Sequence, residues 1–460
     1  MRNRHCKKLN ELENFPIFAM LRPICRGTVM KRIIFAISLL SATSLFAQDF
    51  WEKYNRDFSI NPKDHALCYQ VGDGPIQGSN VDRKVTLASV SKMVTTYWAL
   101  NQKGYDYQYE TKFLVKGKKL HITGSLDPVF SSRKLFYLVS QFNKLGIHEL
   151  EEITFDENLR VFTKAEQYAG TTINVTPART AANLKDFLHT PDWNLLKAAY
   201  KDFIATTPNS VIETLGLVRD LKDLDLKVGK VSFVETAPFS ESDSEVQTYT
   251  HRSPEIEKYL KYQNIVSNNY FADQIFNKLG GEVAFDQFFD QWMKDNLPDY
   301  KEQRVGFSDS DPSLKMYTGS GLDSVRDGKR VDNYSSCSVI MTIMKKMDQQ
   351  LIELEREIQK SVAVPGVDQG TFRARLNSPR IARTMIAKTG TLMHTSSLTG
   401  ILSTVKGKVA FGIFHQMTGA KGNAKIVQDK VVDKLFELND GSVKFDYKPE
   451  FFFPAYEELR

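Results

Sequence analysis

The sequence predicts an α/β (α+β) protein: an antiparallel sheet flanked by helices, with one smaller domain inserted into it. Three observations carry that expectation. The last third alternates helix and strand, a strongly periodic helix starts near Val90, and residues 105–250 switch to short strands and loops. Composition agrees, because 42% hydrophobic and 25% charged residues in a chain of 460 describe a folded globular protein rather than a disordered or fibrous one.

Taken in chain order, the first feature is an export signal. Met30-Lys31-Arg32 precedes a short apolar run, Ile33 to Leu40, and then small residues up to Ala47, the three parts of a cleavable secretory signal. The run is too short to span a bilayer, which takes about 20 apolar residues. Residues 1–47 are expected to be a leader, with Met30 as its start because the stretch before it carries Glu11, Glu13, Pro16 and Pro23. Cleavage removes eight basic and two acidic residues and leaves the mature chain formally neutral. The basic balance therefore belongs to the leader and gives nucleic-acid binding no support. The expected location is the periplasm, with no membrane span after cleavage. Cys6 and Cys25 leave with the leader, while Cys68 and Cys337 stay, in no metal-ligand spacing. An oxidising compartment permits a bridge between these two without requiring it, and two separate buried thiols fit as well. No metal or cofactor is expected.

Residues 50–58 suit a short helix, and 66–71 a strand that runs into turns at Gly72, Gly74 and Gly78. From Val90, apolar side chains recur at Met93, Val94, Tyr97 and Trp98, so one face of a helix ending at Gly104 is buried. Between 105 and 250, strands at 112–115, 121–123 and 151–155 alternate with a helix at 134–145. A polar stretch, Ser240 to Glu245, reads as a boundary loop before a helical segment over 255–279. A helix at 340–358 and strands at 384–387, 397–405 and 409–415 follow, the last two joined by a tight Lys406-Gly407-Lys408 hairpin. The closing helix, 424–438, has Asn423 as its expected cap and aligns Val427, Val431, Leu435 and Leu438 on one face.

Three short patterns carry the chemistry: Ser89-Val90-Ser91-Lys92, Ser267-Asn268-Asn269 and Lys388-Thr389-Gly390. Each alone is common, and context lifts the set. Ser89 stands just before the periodic helix, which puts Lys92 one turn on and beside its hydroxyl. A serine attacks at neutral pH only when a base takes its proton, and a lysine is such a base only when burial or nearby positive charge lowers its pKa. The buried helix face and Lys388, as a second cation, are expected to supply both effects. Lys388 to Thr391 follow an apolar run and precede a hairpin, the setting of an edge strand. Gly390 there would let a substrate backbone approach, while Lys388 and Thr389 hold a terminal carboxylate. Ser267 to Asn269 are either helix-capping residues or, with the other two patterns, part of one site.

These three motifs match those shared by penicillin-binding proteins and serine β-lactamases. More narrowly, the chain resembles the low-molecular-mass class C penicillin-binding proteins, the D-alanyl-D-alanine carboxypeptidase/endopeptidase family. Supporting stretches are Thr123 to Pro128, Gly319 to Leu322, Val364 to Thr371 and Ala387 to Leu392, spread over nearly all of the mature chain. The resemblance implies a β-lactamase/transpeptidase-like catalytic domain and a periplasmic serine DD-peptidase that acts on peptidoglycan stem peptides or crosslinks, with β-lactam antibiotics as covalent inhibitors. By the same resemblance Ser89 is the acylated nucleophile, Lys92 its general base, Ser267 a proton relay and Asn269 a holder of the substrate amide and Lys92. Lys388 and Thr389 would bind the carboxylate, and the N–H groups of Ser89 and Thr391 would form the oxyanion hole. The chain departs from the family pattern at Leu87, where proline is usual, and over Asp323 to Asp332.

The first two motifs are 178 residues apart. A catalytic core needs roughly 60 residues there, so about 120 remain, the size of one small domain. The expected division is 48–104 with 251–460 as the catalytic domain and 105–250 as the insertion. The resemblance implies that such insertions are often two, and a missing one would open the cleft toward crosslinked peptides. A class A β-lactamase is the enzymatic alternative, but its Glu-x-x-Leu-Asn pattern is lacking, and Glu302 to Gly306 does not match it. A catalytically weak peptidoglycan binder or β-lactam sensor is the alternative from another class. Scattered histidines and the lack of a His-Glu-x-x-His or Gly-x-Ser-x-Gly pattern leave metallo- and Ser-His-Asp hydrolases unsupported.

Overall fold

The computed structural model describes residues 49–162, 175–298, 304–416 and 418–460. The expected leader lies outside these residues, as do Glu302 and Gln303. In chain order the elements are α1 (49–57), β1 (Ala66–Val71), β2 (Gln77–Ser79), β3 (Lys84–Thr86), α2 (Ser91–Lys103), β4 (Glu110–Lys116), β5 (Lys119–Thr123), α3 (Ser132–Lys144) and β6 (Glu149–Phe155). They continue with α4 (Pro177–Leu188), α5 (Leu196–Thr206), α6 (Asn209–Thr214), β7 (Lys227–Phe233), β8 (Gln247–Arg252), α7 (Ile256–Val266), α8 (Asn269–Lys278) and α9 (Gly281–Asn296). The last are β9 (Leu314–Lys315), β10 (Ser324–Arg326), β11 (Lys329–Val331), β12 (Tyr334–Ser336), α10 (Cys337–Glu353), β13 (Met385–Leu392), β14 (Thr395–Thr404), β15 (Gly407–His415) and α11 (Lys421–Leu438).

The first sheet runs β13-β14-β15-β1-β2, with every neighbouring pair antiparallel. Both of its faces are apolar, because successive side chains point to opposite sides. On β15, Val409, Phe411 and Ile413 join one core while Ala410 and Phe414 join the other. Helices must therefore cover both faces. Trp51 of α1 and Val427 and Val431 of α11 pack on one side, and Val94 and Trp98 of α2 with Ile340 and Met344 of α10 pack on the other. Cys68 of β1 is bridged to Cys337 at the start of α10, with Cα atoms 5.9 Å apart. The bridge fastens the sheet to its covering helix across 269 residues of chain.

The second sheet, β7-β6-β5-β4-β8, lies wholly within residues 110–252 and is mixed, since β5, β6 and β7 are parallel to one another. Phe113, Ile122 and Phe155 on its strands pack with Leu135 and Phe142 of α3 into a separate core. Ser240 to Glu245, expected as a boundary, instead joins β7 to β8 inside this unit, where Lys116 pairs with Asp243 at 2.7 Å. The chain end returns to the same core: Phe453, Ala455 and Leu459 insert there, and Thr250 N–H donates to the Arg460 carbonyl at 2.6 Å.

Three helical readings differ from expectation for physical reasons. The apolar stripe on α2 is present, yet Ser91 through Leu100 are buried all round, because the polar side of this helix faces other protein groups and not water. Thr95 Oγ1, for example, donates to the Gly319 carbonyl at 2.7 Å. The helical segment expected over 255–279 is broken into α7 and α8 at Ser267, whose φ of 55° is left-handed. At the chain's last helix, Asn423 lies inside α11 and donates to the Phe58 carbonyl at 3.1 Å, tying down the loop after α1 instead of capping. Among the described residues no helix is long and apolar enough to cross a membrane.

Candidate active site

Ser89 lies in a 3₁₀ turn, Ala88–Val90, that feeds α2. Ala88 takes φ of 50°, a conformation unfavourable for a residue with a Cβ, and its surroundings hold it there. Leu87 N–H donates to the Asn333 carbonyl at 3.0 Å, Ser397 Oγ donates to the Leu87 carbonyl at 2.9 Å, and Asn333 Nδ2 reaches Ser91 Oγ at 3.0 Å. Gly321 lies so close that a Cβ on it would meet the Ala88 carbonyl oxygen at 1.9 Å.

Lys92 is fully buried. Its Nζ is 3.1 Å from Ser89 Oγ, 2.7 Å from Asn269 Oδ1 and 2.8 Å from the Ser320 carbonyl oxygen. The last two are pure acceptors here. A neutral amine has two N–H bonds and one lone pair, so the two carbonyl oxygens take the N–H groups and the lone pair is left for the Ser89 hydroxyl. Burial pulls the Lys92 pKa down to about 7, opposed by the nearby Asp273 carboxylate. Lys388 is not among the groups that lower it. Instead, burial and the Lys92 charge push Lys388 itself well below the usual lysine range.

The break between α7 and α8 positions the second motif. Ser267 ends α7, Asn268 caps α8 by accepting from Phe271 N–H at 3.0 Å, and Asn269 opens α8 facing Lys92. Asn268 thus caps the helix as the capping reading expects, while Asn269 Oδ1 lies 2.7 Å from Lys92 Nζ. Lys388 Nζ donates to Ser267 Oγ at 2.9 Å and to the Thr389 carbonyl at 2.8 Å. The structure thus forms two hydrogen-bonded groups, Ser89–Lys92–Asn269 and Ser267–Lys388, close enough for the Lys92 charge to act on Lys388.

β13 is the outer strand of its sheet. Ala387 N–H points outward to the Ala363 carbonyl at 3.0 Å. Alternation along the strand places the backbone groups of Thr389 and Thr391 on that same edge, where Thr391 is exposed. Gly390 is closely approached by the turn that carries Ser89. A Cβ there would meet Ser397 Oγ at 2.2 Å, the Leu87 carbonyl oxygen at 2.8 Å and Ser89 N at 3.0 Å, so glycine admits the backbone of the Leu87–Ser89 turn.

Sequence reasoning assigned no role to Ser320, Asn333 or Asp273. Ser320 acts through its carbonyl, which leaves no residue-type signal, and the glycines on either side of it were the only hint. The stretch from Asp323 to Asp332, noted as a departure, folds as the exposed hairpin β10–β11. His415 is buried against Asn55 and Gln428 on the far side of the sheet. Among the described residues, no group of three or more His, Cys, Asp or Glu side chains is placed to hold a metal.

The sequence matches the D-Ala-D-Ala carboxypeptidase 3 (S13) family over residues 72–172 and 226–435. No curated protein matches the chain. Among solved structures it is similar to the Bd3459 predatory endopeptidase from Bdellovibrio bacteriovorus in complex with immunity protein Bd3460, at 25% identity and a TM-score of 0.70, over 86% of this chain and 98% of that one. The penicillin G acylated form of Bd3459 matches at 25% identity and a TM-score of 0.64, over the same shares of the two chains. Penicillin binding protein 4 from Haemophilus influenzae shares the fold, at 17% identity and a TM-score of 0.50, over 81% of this chain and 96% of that one. With two thirds of its length matched to one family and the clustered serine, lysine and asparagine side chains described above, the chain belongs to the D-Ala-D-Ala carboxypeptidase 3 (S13) family.

Proposed function

We propose that the chain is a periplasmic serine DD-peptidase that hydrolyses D-alanyl peptide bonds of peptidoglycan through an acyl-enzyme on Ser89. One observation carries the reading: a buried lysine amine held between two carbonyl oxygens at 2.7 and 2.8 Å and set 3.1 Å from a serine hydroxyl. Lys92 takes the Ser89 proton as Oγ bonds to the substrate carbonyl carbon. The N–H groups of Ser89 and Thr391 receive the developing oxyanion. When the C–N bond breaks, the proton moves from Lys92 by way of Ser267 to the departing amine, and Lys92 is neutral again. Water then attacks the ester and gives its proton to Lys92 or Ser267, and Ser89 recovers its hydroxyl as the C–Oγ bond breaks. Asn269 holds Lys92 and the substrate amide. Lys388 and Thr389 bind a substrate carboxylate, whose charge favours the protonated form of Lys388 that burial disfavours in the empty site.

The crosslink is the preferred bond over a terminal D-alanine. A single inserted unit, in place of the two that the family often carries, supports this, as does the endopeptidase named among the similar structures. The separate sheet over 110–252 and its own core, which the chain end joins through Phe453, Ala455 and Leu459, support 105–250 as the insertion, with 48–104 and 251–460 as the catalytic domain. The export signal over 30–47 belongs to the same reading, since peptidoglycan lies outside the cytoplasm. Incubating the mature protein with fluorescent penicillin and with purified crosslinked muropeptides tests it. The expected results are a covalent label and, by mass, dimers converted to monomers faster than D-alanine is released. Release of D-alanine with dimers intact would assign a carboxypeptidase, and no label would remove the acyl-enzyme.

Gly390→Ala is expected to slow penicillin acylation by about 100-fold or more, because the added methyl drives β13 away from the Ser89 turn by the contacts given above. Stopped-flow acylation at saturating penicillin measures it. A near-normal rate would mean that the two backbones need not touch.

A further inference from the structure

Asp273 lies one turn after Asn269 on α8, so the two side chains share a face. It is 3% exposed. One carboxylate oxygen accepts the Ser320 N–H at 2.7 Å, while the other is buried with no hydrogen-bond partner among the described residues. The Ser320 carbonyl in turn accepts a Lys92 N–H at 2.8 Å. Asp273 and Lys92 thus grip the two backbone polar groups of one residue. That residue is wedged from both sides: a Cβ on Gly319 would meet the Ala272 carbonyl oxygen at 2.3 Å, and one on Gly321 the Ala88 carbonyl oxygen at 1.9 Å. A buried carboxylate with an unsatisfied oxygen is costly, and a purely structural anchor for one N–H needs no charge.

We propose that Asp273 is a positioning residue for the general base, fixing the Ser320 carbonyl that orients the Lys92 amine and supplying the negative charge that sets the protonation balance of that amine. This rests on the reading of Lys92 as the base for Ser89. The charged groups around the amine are Asp273 on α8 and Lys388 on β13. Asn269 Oδ1 of α8 and the Ser320 carbonyl are its neutral partners, and Gln263 of α7 reaches only the Lys92 main-chain carbonyl. The electrostatics agree with the geometry. Burial pushes the Asp273 carboxyl up to about 6, against the pull of Lys92, while Asp273 favours the charged form of Lys92. Removing the carboxylate charge therefore lets the amine shed its proton at lower pH.

Penicillin acylation rates measured over roughly pH 5 to 9 test this. The wild-type rate is expected to rise with a midpoint near 7. Asp273→Asn keeps an oxygen for the Ser320 N–H but loses the charge, and its midpoint is expected to fall by about one pH unit. Asp273→Glu keeps the charge and is expected to keep the wild-type midpoint at a lower plateau rate. An unchanged midpoint in the Asn variant overturns the proposal. Should that variant not fold, a midpoint moved downward in the Glu variant overturns it equally. A wild-type protein that takes no label, or a label that survives Ser89→Ala, would sink the underlying reading of the site instead.

Discussion

Ser89→Ala is expected to abolish covalent labelling by penicillin and to lower muropeptide turnover by about 10⁵-fold or more. The size follows from the role proposed for Oγ, which becomes the ester oxygen. No neighbour can replace it, because Ser267 Oγ is engaged by Lys388 and Lys92 Nζ is held by two carbonyl oxygens. Whatever rate remains would come from the β13 edge and from bound water. The fold should be indifferent to the change. The Ser89 side chain caps no helix, and the turn is fixed through the backbones of Leu87 and Asn333, so melting should shift by the equivalent of about 1 kcal/mol or less. Intact-protein mass after penicillin treatment, read beside a thermal melt, checks both halves. A label that persists would place the nucleophile on another residue.

Much of this architecture was legible because side-chain periodicity reports burial directly. The strands at 112–115, 121–123 and 151–155 fall within β4, β5 and β6, and the three strands of the last third fall on β13, β14 and β15. What failed were places where polar residues are buried by other parts of the chain. A 3.6-residue stripe finds the apolar side of α2 but cannot show that Lys92, Thr95 and Thr96 are equally enclosed. The break at Ser267 was hidden for a related reason. Ser267 and the two asparagines were read as weak helix formers near a helix start, whereas a left-handed serine ends one helix before Asn268 caps the next.

The chemistry was readable where it resides in side-chain types at fixed spacing and unreadable where backbone atoms do the work. Ser89, Lys92 and Asn269 could be paired on paper. The Ser320 carbonyl could not, and without it the amine would have an unpaired N–H and no defined direction. The same holds for the source of the lowered Lys92 pKa. Of the two effects expected, burial of α2 is the one that lowers the Lys92 pKa, while the second lysine, Lys388, bears the repulsion instead. The Cys68–Cys337 bridge was undecidable for the same reason: nothing local brings β1 to the start of α10.

Lys92→Met is expected to lower penicillin acylation by about 10³- to 10⁴-fold and to erase its pH dependence near neutrality. Methionine fills a similar buried volume without a lone pair or a charge, so packing is kept while the base is lost. On the proposed mechanism the active form of Lys92 is the neutral amine, and burial holds its pKa down at about 7, so acylation should rise with pH through that value and then level off. The variant should be slow at every pH. A stability measurement gives an independent sign. Between about 7 and the unfolded lysine value of 10.5, the unfolded chain binds a proton that the native protein does not, so wild-type stability rises with pH relative to the variant across that window. Below it both states of the wild type carry the proton, and the difference should be constant. Urea melts of the two proteins near pH 7 and pH 9 would read it. If their stabilities moved in parallel, Lys92 would be charged in the folded protein, and a charged ammonium has no lone pair with which to take the Ser89 proton.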